Sequence, residues 1–154
     1  MQTIDGKIVL IDEDLYERSL LERNLHKLGW EVTVEYFNNS KAALNYLRTT
    51  ADEIFLVISA MKMRELSGVQ LKKEIDSEPA LKQKAIPFIF MSNSAEVHEV
   101  YSAYDSIQGY FKKPFTLDLM VKMLDIIIKY WMLSKHPSAT EKILKEDGWV
   151  KRLA

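Results

Sequence analysis

The chain has 154 residues, the usual size of one domain, and its 47% apolar and 28% charged residues are an ordinary globular composition that can bury a core without staples. A net charge of −1, from 21 basic and 22 acidic residues, argues against a surface built for nucleic acid or anionic lipid. With no cysteine, disulfides, thiol catalysis and zinc–thiolate sites are excluded. In chain order, Lys7 to Asp12 (KIVLID) reads as a strand buried on both faces. Leu21, Leu25 and Leu28 recur at helical spacing, and Gly29 follows as a stop. Val32 to Phe37 is a second strand. Asn38-Asn39-Ser40 is a turn, with Ser40 able to cap a helix carrying Ala43, Leu44 and Leu47. Ile54 to Ser59 is a third buried strand, and the loop AMKMRELSG leads into a helix with Val69, Leu71 and Ile75. Pro79 lies in a connection. Ile86 to Met91 is a fourth strand, with Pro87 tolerable at its start. Val97, Val100, Tyr101 and Tyr104 mark a fourth helix, Gln108 to Phe111 a short fifth strand, and Leu117 to Leu133 a fifth and longest helix.

Strands alternating with helices at this spacing predict an α/β fold, a parallel sheet covered on both faces with right-handed crossovers. In such folds functional groups gather at the carboxyl ends of the strands. Those ends carry Asp12-Glu13-Asp14, Ser59-Ala60, Ser92-Asn93 and Lys112-Lys113-Pro114. An acidic cluster, a small hydroxyl and a lysine therefore converge on one rim. Adjacent carboxylates repel, which favours a hard divalent cation such as magnesium, or an ammonium group, between them. A hydroxyl and a lysine nearby suit the oxygens of a phosphoryl group. The plainer reading makes Asp14 a helix cap and the other charges solvated loop residues; residue types alone leave both open.

The ordered set IVLIDED, VISAMKMRELSG, FIFMSNS and GYFKKPF, on the matching strands, resembles the response-regulator receiver domain (CheY-like) over roughly Lys7 to Leu133. The resemblance implies a flavodoxin-like, doubly wound five-stranded sheet of order 2-1-3-4-5. It implies a receiver-like domain over 1–133, followed by a C-terminal helical tail over 134–154. It implies a role in two-component phosphorelay signalling. By the same resemblance, Asp12 and Glu13 are the acids that hold magnesium, Ser92 and Lys113 contact the phosphoryl group, and Tyr110 is the rotamer switch. The Lys113–Pro114 bond is expected to be cis.

The family's loop after the third strand runs aspartate, three residues, proline, three residues, glycine. Counting back from Gly68 places Ala60 at the phosphorylated aspartate and Arg64 at the proline. A methyl group neither attacks a phosphoryl donor nor ligates a metal. Ser59, one residue away on a strand, points to the opposite face. The expectation is a receiver that works by protein contact, with no enzymatic phosphoryl transfer and with no cofactor beyond weak magnesium at Asp12 and Glu13. To neutralise these acids, Lys62 is expected to turn inward beside Lys113, because an unpaired, partly buried acidic cluster is costly. A working receiver whose acceptor was substituted, or which accepts phosphate at another residue, remains the alternative. A flavin- or nucleotide-binding relative would need a glycine- or hydroxyl-rich loop after the first strand, and IDEDLYERS is acidic there.

His26, His98 and His136 share no element and read as surface or half-buried residues. The fifth helix has more apolar residues than one buried stripe needs. By resemblance it belongs, with the fourth helix and fifth strand, to the face that meets a sensor histidine kinase or downstream effector, or a second copy. The competing reading is that the tail folds back over it. That tail has a capping-box pattern at Ser138 and Glu141, then Ile143, Leu144, Trp149, Val150 and Leu153. The start of the chain has too short an apolar run for a signal peptide, and Asp118, Lys122, Asp125 and Lys129 interrupt the longest later one. A cytoplasmic location without membrane or nucleic-acid contact is expected.

Overall fold

A computed structural model of the chain describes residues 1–94, 97–104 and 107–134. The elements are β1 (Gln2–Ile11), α1 (Leu15–Lys27), β2 (Trp30–Phe37), α2 (Ser40–Thr49), β3 (Ile54–Ser59), α3 (Gly68–Ser77), α4 (Pro79–Gln83), β4 (Phe88–Ser92), α5 (Val97–Ala103), β5 (Gly109–Lys112) and α6 (Leu117–Leu133). The five strands form one sheet of order β2-β1-β3-β4-β5, and every neighbouring pair is parallel. The fourth and fifth helices of the sequence reading are α5 and α6.

The two-residue period of a strand sends alternate side chains to opposite faces. Val9, Ile11, Val57, Phe88 and Phe90 pack with Leu44, Leu47, Leu71 and Ile75 under α2 and α3. Ile8, Leu10, Leu56, Ile58, Ile89 and Met91 pack with Leu25, Leu124, Ile127 and Ile128 under α1 and α6. All six residues of β3 are buried, which is why IFLVIS reads as an unbroken apolar run.

Several local features differ from the sequence expectation. β1 begins at Gln2, ahead of Lys7, because Gln2 and Thr3 pair with Trp30 and Glu31 before the register shifts. The shift is made at Gly6, whose φ of +89° suits a residue without a side chain; a Cβ there would lie 3.1 Å from the Glu53 carbonyl oxygen. Asn39, rather than Ser40, caps α2: its Oδ1 accepts the Ala42 N–H at 2.8 Å, while buried Ser40 donates to the Leu66 carbonyl at 2.7 Å. The Pro79 connection is a short helix that buries Leu81, with Pro79 at its first position, where a missing N–H costs nothing. No cis peptide bond occurs among the described residues, so Lys113–Pro114 is trans. Residues 135–154, including His136 and all but the first residue of the expected tail, lie outside the described residues.

Candidate functional site

The carboxyl edge of the sheet is built by β1, β3, β4 and β5 ending together. Asp12 follows β1 directly, and its N–H bonds the Phe37 carbonyl of the neighbouring strand at 3.1 Å. Asp12 is buried; Oδ1 accepts the Asp14 N–H at 2.9 Å, and Tyr36 donates its hydroxyl to the Asp12 carbonyl at 2.6 Å. Asp14 caps α1 by accepting the Tyr16 N–H at 3.0 Å, so the plainer reading holds for this residue.

Lys113 comes to the rim from the end of β5, its backbone N–H bonded to the Ser92 carbonyl at 2.7 Å. Its ammonium lies 3.2 Å from Asp12 Oδ2 and 3.2 Å from Glu17 Oε1, with only 12% of the side chain exposed. Lys113 therefore bridges two carboxylates with one positive charge. Glu17 had no place in the sequence reading. It stands on the first turn of α1, and the Lys113 side chain, coming from the residue after β5, reaches it there.

Glu13 is turned the other way. Oε1 accepts the backbone N–H of Arg64 at 2.9 Å, and Oε2 lies 3.1 Å from the Arg64 Nε. The residue standing at the proline position thus holds the second acid from both backbone and side chain. A proline there would have no N–H to give.

The inward pose expected of Lys62 is not adopted. Its side chain is 78% exposed and its ammonium sits 3.3 Å from Glu99 Oε1 on α5. The physical reason is that Lys113 and Arg64 already satisfy the acids, whereas Glu99 is a nearly covered carboxylate facing the β3–α3 loop. A hydrogen bond from the Ser94 side chain, helped by Lys62, holds the Glu99 carboxyl below its ordinary value.

Ala60 follows β3 directly, its N–H bonded to the Ile11 carbonyl at 2.8 Å. Ser59 is fully buried and donates its hydroxyl to the Ala60 carbonyl at 2.9 Å. The start of α3 presses against this point: a Cβ on Gly68 would lie 2.4 Å from the Ala60 oxygen and 2.4 Å from Phe90. Ser92 ends β4 and its hydroxyl oxygen accepts the Ser94 N–H at 3.2 Å. Tyr110 packs its ring edge-on against Phe90 at 6.3 Å and donates its hydroxyl to the Ser94 carbonyl at 2.6 Å. Its own N–H is bonded by the Tyr104 hydroxyl at 3.1 Å, so Tyr104 closes the outer edge of β5. The sheet thus brings Asp12, Ala60, Ser92 and Lys113 to one rim, with Tyr110 behind it, while Glu13 and Lys62 point to either side.

This donor set does not fit a tightly held divalent cation. Among the described residues no three acidic or histidine side chains converge. Asp12 is engaged by Lys113, Glu13 by Arg64, and position 60 offers a methyl group. Magnesium wants near-octahedral oxygen ligation and would have to displace both cations. The residue after β3 carries a methyl, and the Ser59 hydroxyl before it is buried and bonded to the Ala60 carbonyl.

Residues 8–125 match the profile of the response regulator receiver domain. The chain is 27% identical over 123 residues to chemotaxis protein CheY1 of Helicobacter pylori, covering 79% of this chain and 96% of that protein. It is 26% identical over 153 residues to the 3',5'-cyclic-nucleotide phosphodiesterase regA of Dictyostelium discoideum, covering 96% of this chain but 18% of that protein. It likewise spans about a quarter of the DNA-binding transcriptional regulator NtrC of Escherichia coli, at 27% of its length. Among solved structures, the phosphorylated cyanobacterial phytochrome response regulator RcpA superimposes with a TM-score of 0.74 at 22% identity, covering 84% of this chain and 96% of that one. The Mn(2+)-bound form of response regulator Rcp1 superimposes with a TM-score of 0.72 at 19% identity, covering 84% and 96%. No helix among the described residues is long and apolar enough to cross a membrane. A profile match over most of the chain, a parallel sheet of order β2-β1-β3-β4-β5 and a lysine at the end of β5 bonded to the acid at the end of β1 lead to one conclusion: the chain belongs to the response regulator receiver family of two-component signalling.

Proposed function

We propose that this receiver signals through protein contacts and accepts no phosphoryl group. The observation that carries the reading is the pairing of Ala60 with a rim whose acids are already ion-paired within the chain. Carboxylates that would otherwise call for a metal ion are matched by Lys113 and Arg64. An acyl phosphate needs a carboxyl at the end of β3, and that position carries a methyl. Magnesium then binds weakly, at Asp12 and Glu13, against the competition of two tethered cations.

In this reading Tyr110 is the conformational reporter. Its hydroxyl bond to Ser94 and its packing on Phe90 define one state, and a partner that favours another rotamer shifts the balance by its differential affinity. The partner surface is the face of α5, β5 and α6, where Tyr101, Tyr104 and Phe115 are exposed. A sensor histidine kinase, a downstream effector or a second copy of the domain would meet it there.

The test is incubation with acetyl phosphate and magnesium followed by intact mass, on the parent and on Ala60→Asp. The expected result is no adduct on the parent and a labile phosphoryl adduct on the variant. A phosphoryl gain on the parent overturns the reading, and peptide mapping would then locate the acceptor at another residue.

A further inference from the structure

Ser94 takes three contacts at once. Its N–H bonds the Ser92 hydroxyl oxygen at 3.2 Å, its carbonyl accepts the Tyr110 hydroxyl at 2.6 Å, and its side chain donates to the Glu99 carboxylate on α5. Glu99 in turn lies 3.3 Å from the ammonium of Lys62, two residues past Ala60. A continuous path of hydrogen bonds and one ion pair therefore runs from the loop after β3, across the start of α5, to Tyr110. The path includes no atom of Ala60 and needs no phosphoryl group. The strands beneath it are fixed by their pairing, Phe90 to Tyr110 and Ser92 to Lys112. The freedom lies in the Tyr110 side chain and in the segment that leads into α5.

Two features set the balance of this path. The Glu99 side chain is only 12% exposed, and its Oε2 is covered without a hydrogen-bond partner among the described residues. A covered carboxylate oxygen left unpaired costs free energy, so the arrangement is held by its ties and not by packing alone. The Lys62 side chain is 78% exposed, and an ion pair with so open an end is a weak tie. An arrangement held against a cost by a weak tie stands close to the balance with its alternative. We propose that the Lys62–Glu99 pair is a latch on Tyr110. Closed, it keeps Ser94 where its carbonyl meets the Tyr110 hydroxyl; open, it releases the tyrosine. The latch rests on the reading of Tyr110 as the conformational reporter. It adds an input to that reading, because the Lys62 ammonium is reachable from outside the protein.

NMR relaxation dispersion at the Ser94 amide and the Tyr110 ring, on the full chain, measures the population of the released state. Lys62→Met and Glu99→Gln are each expected to raise that population about two- to fivefold, the factor that an exposed ion pair supplies. Both remove the same tie, so the double variant should go no further than either single one. Lys62→Arg keeps the charge and is expected to match the parent. An unchanged population in either single variant, rises that add in the double variant, or a rise in Lys62→Arg equal to that in Lys62→Met overturns the latch. The failure of contact-only signalling is read separately: a phosphoryl adduct on the parent would overturn that reading without altering these populations, whereas unlinked populations overturn the latch alone.

Discussion

Replacing Lys113 by methionine keeps the length of the side chain and removes the charge that Asp12 and Glu17 share. At the observed 3.2 Å, each contact has a gross Coulomb attraction of about 5 kcal/mol at an effective dielectric constant of about 20. Most of that is offset by the cost of taking the ammonium out of water. Breaking a buried pair costs about 3–5 kcal/mol, because the remaining charge is left without a partner. Lys113 and Asp12 are each 12% exposed at the side chain and Glu17 is 21% exposed, so the lower end applies, about 3 kcal/mol. For a domain of this size that is a fall in Tm of roughly 6–12 °C. Urea unfolding at neutral pH measures the loss directly. A second arm tests the role rather than the size. If the ammonium stands where a metal would, magnesium should restore part of the variant's stability, by about 1.4 kcal/mol at ten times its Kd, and leave the parent nearly unchanged. A loss below about 0.5 kcal/mol, or an equal magnesium response in both proteins, refutes the reasoning.

Gly68→Ala drives a methyl to within 2.4 Å of the Ala60 carbonyl and of Phe90, and is expected to destabilise by about 1–3 kcal/mol in urea unfolding. Tyr110→Phe removes the 2.6 Å bond to the Ser94 carbonyl and should cost about 1 kcal/mol in urea unfolding, with NMR shifts at Ser94 and Phe90. The Glu99 carboxyl is held below its ordinary 4.5 by the Ser94 side chain and Lys62, so its stabilising effect is full above that value and is lost as pH falls through the lower folded-state value. The stability gap between the parent and Glu99→Gln should therefore be present at neutral pH and close below 4.5; a gap that stays constant into acid would count against the pairing.

The rim was legible because β1, β3 and β4 are apolar runs with chemistry at their ends, whereas the strand order came from the family resemblance. IVLID ends in Asp12 and GYFK is followed by Lys113, so a parallel sheet sets both at its carboxyl edge, and the long lysine side chain spans β3 and β4 to reach the acid. The destination of Lys62 was not legible. Its partner Glu99 lies 37 positions along the chain, on a helix whose phase is set by packing rather than by its own pattern. Arg64 and Glu17 escaped for the same reason: each is a charge in a loop or first turn whose partner is chosen in three dimensions. The start of β1 was hidden by polar residues, since Gln2 and Thr3 gain their place from pairing with β2 and not from burial. The short helix at Pro79 is only five residues long, below the length at which periodicity carries a signal.

The counter-ions of this rim are fastened to the backbone. A soluble ion can be stripped by a chelator or diluted by the medium, but an ammonium on β5 and a guanidinium on the loop after β3 travel with the acids they offset. On the function proposed here, the charge pairing of the pocket is set when the polypeptide folds, and what a cell varies is how much of the protein it makes and what it places beside it.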